Sequence, residues 1–353
     1  MMRINFFGDV CLDGIDAHNF AIDPAIAARA STVDCNVANL ESPLTSVRTG
    51  LPYQAHLIKA DPKPSRILDL FDVFSLANNH VMDYGEAGLE ETLQFLRSIG
   101  KGCFGAGHNR EASLVPYRCM RGGQQVAFLG FSRWHRATRR VAGAAPDQTR
   151  ELTRRVQKLS QEGCFVVVYP HWNYEYVDHP APSNRRIARW LIDAGADLIV
   201  GSHPHITHGY EEYKGKWIFH SLGNFVFEPA QLSLADKGDP RINEALILTI
   251  DVRSDRSYDC EVVPVHTDGG GVRVRHGDER AAAMQRLEQL SDILRQHDLC
   301  SRYFYQEAAR PTERMSKHMG DMVRQRGVMY ILSRLHRIRL EDLKIKWHSV
   351  VSR

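Results

Sequence analysis

The sequence predicts an α/β fold, and three observations carry that expectation. Short apolar runs alternate with amphipathic stretches through the first two-thirds of the chain. The run at 165–169 is apolar throughout, as in a strand covered on both faces. A cluster drawn from Gly, Asn, Asp, Glu and His follows one run after another, which places polar chemistry at strand ends.

The elements follow in order. Residues 3–7 form the first expected strand, ended by Gly8-Asp9, and 33–40 form the second. A short helix at 65–70 precedes a third strand at 73–77. Leu89, Leu93 and Leu96 recur at helical spacing, so 85–98 reads as a helix. Residues 125–131 read as a strand, 147–161 as a helix and 165–169 as a buried strand. Ser183 suits the N-cap of the next helix, and 197–200 is another buried strand. Lys214-Gly215-Lys216 breaks 210–219 into a hairpin, and 245–252 and 258–266 alternate like antiparallel strands. Gly269-Gly270-Gly271 marks a boundary between a domain over 1–270 and a helical extension over 271–353. Residues 275–353 carry 16 Lys and Arg against 10 Asp and Glu, whereas 1–274 are net negative by three. Such a tail is either a set of helices with a solvated basic face or a contact surface for an anionic polymer, a membrane or a partner.

Composition narrows the class. Of 353 residues, 43% are apolar and 25% charged, enough to bury a core and to exclude a disordered or collagen-like chain. A net charge of +3 gives no pull of its own toward a polyanion, and no specific nucleic-acid partner is expected. No run approaches 18 apolar residues and the mean hydropathy is -0.35, so no transmembrane segment is expected. The apolar run at the N-terminus is too short for a signal peptide. The seven cysteines are scattered without a Cys-x-x-Cys pair, which points to a reducing cytoplasm and no disulfide framework. The chain has no Gly-x-Ser-x-Gly and no Walker A motif.

Five strand-end clusters carry the chemistry: Gly8-Asp9, Asn39-Leu40-Glu41, Asn78-Asn79-His80, His171-Trp172 and Gly201-Ser202-His203-Pro204-His205. In α/β sheets ligands bind beyond the carboxyl ends of strands, so all five can converge on one edge. Together they offer carboxylate, amide and imidazole donors. That mixture suits Mn, Fe, Zn or Co and allows Mg, as one or two divalent ions. A pair of such ions is the usual clamp for in-line displacement at phosphorus. Each cluster alone has a plainer explanation. Asp9 could be a turn residue, Glu41 a surface carboxylate, Asn79 a helix cap and His171 a satisfied core histidine. His203-Pro204-His205 is harder to dismiss, because a rigid proline lets two imidazoles approach one point.

The ordered set of these clusters with Asp83-Tyr84-Gly85, Gly105-Ala106-Gly107 and Ser221-Leu222-Gly223-Asn224-Phe225 resembles the CapA family of bacterial capsule or poly-γ-glutamate synthesis proteins. The resemblance runs over about residues 1–265. It implies a calcineurin-like, metallophosphoesterase-like β-sandwich flanked by helices. By the same resemblance Asp9 and His205 bind one metal, Glu41 bridges, and Asn79, His171 and His203 complete a second. His80 then faces substrate as general acid or oxyanion stabiliser, oriented by Asp83. The chain departs from the phosphoesterase pattern at three places. Cys11 stands where Asp-x-His is usual, Glu41 stands where Asp is usual, and Asn173 replaces glycine in His171-Trp172-Asn173-Tyr174-Glu175-Tyr176. Cys11 is expected to be an inert buried thiol. Glu175, Asn224 and Arg133 are expected to meet substrate, with Arg133 heading a loop that also holds His135, Arg136, Arg139 and Arg140. His108 is expected as a turn histidine.

The expected function is a cytoplasmic, metal-dependent hydrolase or transferase of the CapA type, acting on a phosphate ester. The substrate would be an anionic small molecule or polymer, and capsule-synthesis proteins would be its partners. Two other functions fit the same residues. One is a non-catalytic polymer-binding or assembly subunit, and the other is metal-assisted hydrolysis or transfer at a γ-glutamyl amide.

Overall fold

The computed structural model describes residues 1–52, 56–147, 150–228, 238–296 and 298–308. Two sheets lie face to face. The first runs Ala21–Ile22, Gly271–Val274, Tyr258–Asp268, Glu244–Val252, Met2–Val10, Cys35–Leu40, Val73–Ser75, Gly102–Phe104, with Asn224–Val226 joining the end of Met2–Val10. The second runs Tyr210–Tyr213, Lys216–Phe219, Leu198–Val200, Phe165–His171, Gln124–Ser132, Tyr117–Arg121. The site-bearing strands are parallel within each sheet, because helical crossovers return the chain to the same end.

Alternate residues fill the space between the sheets. Ile4, Phe6, Val37 and Val73 from the first meet Val126, Phe128, Val167 and Tyr169 from the second. Phe6 and Phe128 pack edge to face at 6.1 Å between ring centroids. The outer face of the first sheet is covered by Leu89 and Leu96 of helix Gly85–Ser98 and by Ile67 and Leu68. The outer face of the second is covered by Leu152, Val156 and Leu159 of helix Arg150–Gln161 and by Ile187 and Leu191 of helix Pro182–Asp193. Cover on both sides explains why Phe165–His171 is apolar at almost every position. The expected α/β sandwich with flanking helices is therefore present.

Several boundaries differ from the sequence-based expectation. The first strand runs on through Asp9 to Val10, because Asn224–Val226 pairs with its end. Gly8 permits this. A Cβ there would lie 1.8 Å from the carbonyl oxygen of Gly223. Ser183 is not the cap of its helix. Pro182 takes the first turn, where its fixed φ suits a helix start, and Ala181 is the cap residue. The helix expected from 147 begins at Arg150, and 148–149 lie outside the described residues.

Gly269 and Gly270 form the turn into Gly271–Val274, the last strand of the first sheet, and helix Gly277–Arg295 follows. That helix docks against the second sheet. Arg185 Nη2 donates to the Leu294 carbonyl at 2.7 Å, and Ser291 Oγ accepts from the Tyr210 N–H at 3.0 Å. Residues 298–308 are also helical, and the basic stretch from 309 lies outside the described residues. No described helix is long and apolar enough to cross a membrane.

Candidate metal centre

Carboxyl ends from both sheets deliver the polar clusters to one point. Asp9 comes from Met2–Val10 and Glu41 follows Cys35–Leu40. Asn79 and His80 follow Val73–Ser75. His171 ends its strand, and His203 and His205 follow Leu198–Val200. The centre thus lies where two sheets meet, not on the edge of one open sheet.

Asp9 is fully buried and held by donors. Asn39 Nδ2 donates to Oδ1 at 2.8 Å, and the His203 N–H donates to Oδ2 at 3.1 Å. Asn78 Nδ2 in turn donates to Asn39 Oδ1 (3.2 Å) and to the Leu40 carbonyl (2.7 Å). The two adjacent asparagines therefore differ in role. Asn78 braces the strand ends, whereas Asn79 places Oδ1 2.7 Å from His171 Nε2. Asn39 and Asn78 were visible as members of clusters, but their bracing function was not.

The imidazoles are aimed by polar neighbours. Asn224 Nδ2 donates to the carbonyls of His205 and Ile242, which turns Oδ1 toward His205 Nδ1 at 2.9 Å. An amide oxygen only accepts, so His205 Nδ1 carries the proton and Nε2 faces Glu41 Oε1 at 3.7 Å. Asn224 points inward as expected, and its amide is engaged with His205 and backbone, which orients the His205 ring. Ser202 Oγ lies 3.0 Å from His171 Nδ1, leaving Nε2 toward Asn79 and toward His203 Nδ1 at 3.1 Å. His203 and His205 both adopt positive φ, 100° and 59°, around Pro204. Such backbone is costly for a non-glycine residue and persists where its surroundings hold it.

Glu41 is the exception in this satisfied network. It is 1% exposed and neither carboxylate oxygen has a hydrogen-bond partner among the described residues. Its oxygen and ring nitrogens of His203 and His205 all lie within 4.8 Å of one another. Burial, then the charges of Asp9, Glu175 and Asp83, push its pKa well up. Burial also raises Asp9, against the pull of His205 and its hydrogen bonds. Burial lowers His171 and His203 strongly and His205 less so. The rings are therefore neutral at neutral pH, and their 3.7–4.0 Å approaches to Asp9 and Glu41 are not ion pairs. Two buried carboxylates, neutral imidazoles and an amide oxygen are an uncompensated donor set that a divalent cation fits.

The remaining expected residues surround this set. Asp83 Oδ2 accepts from His80 Nδ1 at 2.8 Å and from the Ile58 N–H at 3.0 Å, so the carboxylate fixes the His80 ring. His80 is near enough to lower the three site histidines by its charge. Arg133 lies over the rings of Trp134 (4.7 Å) and Tyr174 (4.9 Å). Trp134 packs against His203 with ring centroids 4.2 Å apart and planes tilted by 51°, a contact that no motif announced. Glu175 is exposed at the rim. Cys11 is fully buried among Ile58, Ile206, Phe227 and Ile242, and burial with the Glu41 charge keeps it a thiol. His108 is half exposed and sits 2.8 Å from Glu90, away from the centre. Arg136 pairs with Asp147 at 3.5 Å, and Arg139 and Arg140 are exposed.

The model of the bacterial capsule synthesis protein PGA_cap family matches residues 3–229. The capsule biosynthesis protein CapA of Bacillus anthracis is 32% identical over 209 residues, 57% of this chain and 49% of that protein. The PGA biosynthesis protein CapA of Bacillus subtilis (strain 168) is 30% identical over 284 residues, 75% of this chain and 71% of that protein. The match thus spans about half the length of the first of these relatives. Among solved structures, a phosphatase from Mycoplasma pneumoniae aligns over 75% of this chain and 95% of its own, at 10% identity and a TM-score of 0.44. A putative 5'-nucleotidase from Staphylococcus aureus aligns over 81% of this chain and 58% of its own, at 14% identity and a TM-score of 0.43.

Proposed function

The chain belongs to the bacterial capsule synthesis protein PGA_cap family, and from that premise we propose that it is a metal-dependent hydrolase of phosphate esters serving capsule or poly-γ-glutamate synthesis. The observation that carries the reading is Glu41, a buried carboxylate with neither oxygen hydrogen-bonded among the described residues, close to ring nitrogens of two histidines. Asp9, Glu41, Asn79, His171, His203 and His205 would hold one or two divalent ions. When bound, such an ion supplies positive charge that offsets the carboxylates and polarises the ester.

The chain's own groups supply the rest. Asp9, Glu41, His171, His203 and His205 are all buried, which keeps bulk water from the inner side of the centre. The Arg133 guanidinium, resting over the rings of Trp134 and Tyr174, meets the anionic oxygens of the substrate. His80, its Nδ1 held by Asp83, presents the opposite nitrogen to protonate the leaving oxygen.

The test is elemental analysis of protein purified without chelator, beside His203→Ala and His205→Ala variants. One or two transition-metal ions per chain, lost in both variants, with hydrolysis of phosphodiester or phosphomonoester substrates, supports the reading. No metal after reconstitution with Mn or Zn ends it and leaves a polymer-binding subunit as the better account.

A further inference from the structure

We propose that the helical residues 298–308 form the outer wall of the metal centre, with Phe304 and Glu307 as positioning residues that hold Arg133 in place for an anionic oxygen. The inference rests on the reading of Arg133 as a substrate-binding group. These residues lie beyond 229, where the family match ends.

Two sets of contacts lead from the helix to the centre. The first is a series of rings and one cation. Phe304 is fully buried and packs on Tyr174 at 5.5 Å between centroids. The Arg133 guanidinium lies over the rings of both Tyr174 and Trp134, and Trp134 packs at a tilt against His203. Phe304 thus reaches Arg133 through Tyr174 alone. The second set fixes the loop that carries Tyr174. Glu307 Oε2 accepts from the Asp178 N–H at 3.1 Å and faces His179 Nδ1 at 3.0 Å. Arg286 and Arg241 bind the two oxygens of Asp178 at 2.6 and 2.9 Å. Phe304 and Ala308 share a buried cluster with Val177 and Ala181 of the same loop. At its other end the Tyr176 N–H donates to the Pro204 carbonyl at 3.0 Å, between the two ligand histidines. The loop is therefore pinned to the centre on one side and to the C-terminal helix on the other.

The physical consequence concerns Arg133. An arginine side chain carries substantial rotamer entropy, and a planar guanidinium resting over two rings has given up part of it before any ligand arrives. Removing the support behind Tyr174 loosens one of those rings. Binding of an oxyanion then weakens, although no metal ligand has been touched.

The experiment uses the full chain, stripped with chelator, reloaded with Mn, and titrated calorimetrically with inorganic phosphate. The variants are Arg133→Met, Phe304→Leu, Glu307→Gln and the Arg133→Met/Phe304→Leu double. Manganese stoichiometry should be unchanged throughout. Phosphate affinity should fall about tenfold in Arg133→Met and roughly threefold to fivefold in Phe304→Leu and Glu307→Gln. The double variant should bind no more weakly than Arg133→Met alone, because both changes act on one group. That non-additivity is the readout that a merely structural role would not produce. Wild-type phosphate affinity in Glu307→Gln and Phe304→Leu, or additive losses in the double, overturns the proposal while leaving the metal reading intact. Wild-type phosphate affinity in Arg133→Met overturns both this proposal and the assignment of Arg133. Glu307 is partly exposed, so its variant keeps the test decisive if Phe304→Leu folds poorly.

Discussion

Replacing Glu41 by glutamine should move the stability of the metal-free protein and its response to metal in opposite directions. The side chain is buried without hydrogen-bond partners among the described residues, and the charges of Asp9, Glu175 and Asp83 add to the cost of ionising it. Leaving a buried polar or charged group unsatisfied costs about 1–3 kcal/mol or more. Glutamine keeps the shape and removes the charge, but its own amide lacks a full set of partners. A gain of about 1–2 kcal/mol remains. For a chain of 353 residues that is a rise of roughly 1–3 °C in melting temperature.

The pH dependence has a definite sign. The native state binds the Glu41 proton more tightly than the unfolded chain, so the wild type loses stability as pH rises above the ordinary 4.5. The advantage of glutamine should therefore widen as pH rises from about 5. Metal reverses the comparison. Saturation at a hundredfold excess over Kd stabilises a binding protein by about 2.7 kcal/mol, and the variant should forgo most of this. Thermal unfolding followed by circular dichroism, after dialysis against chelator and again with Mn, measures both effects. A variant that melts below wild type without metal, or that keeps the wild-type manganese shift, would refute the role given to Glu41.

Three further outcomes are expected. Gly8→Ala should cost at least about 2 kcal/mol in urea unfolding, because the new Cβ meets the backbone of Gly223 and not a movable side chain. A wild-type midpoint would show that the strand ends can separate freely. His208 is buried, donates from Nε2 to the Val177 carbonyl at 2.7 Å, and has its pKa lowered to about 3 by burial and then by His220. The unfolded chain then binds the extra proton between pH 6.5 and about 3, so the wild type weakens by up to about 1.4 kcal/mol per pH unit below 6.5. The stability gap between wild type and His208→Gln should shrink from pH 7 to pH 5.5, and a constant gap in urea melts would contradict the neutral ring. His80→Ala should lower phosphate-ester hydrolysis about a hundredfold or more with metal content unchanged, and a loss of metal would instead make His80 a ligand.

Much of the centre was legible because metal chemistry draws on few residue types. Asp9, Glu41, Asn79, His171, His203 and His205 each stand at or just after the end of an apolar run, and the structure brings all six together. Asn224 was placed correctly, but its engagement with His205 depends on the Ile242 carbonyl, which belongs to a distant segment. Trp134 and Phe304 gave no signal at all. An aromatic residue in a loop or on a helix has the same local pattern whether it packs on a core or on a ligand.

The sequence by itself determined the α/β class, the buried strands and the identity of the polar residues at their ends. Those features follow from periodicity and from chemistry local to a few residues. Only the tertiary structure decided that these polar residues come from two facing sheets. It also decided that the first strand continues through Asp9, because Asn224–Val226 must be present to pair with it. The dependence of the rim on Glu307 and Phe304 arises likewise from contacts more than a hundred residues apart. Pairings of that range are set by the packing of whole sheets and helices, and no local pattern in the chain encodes them.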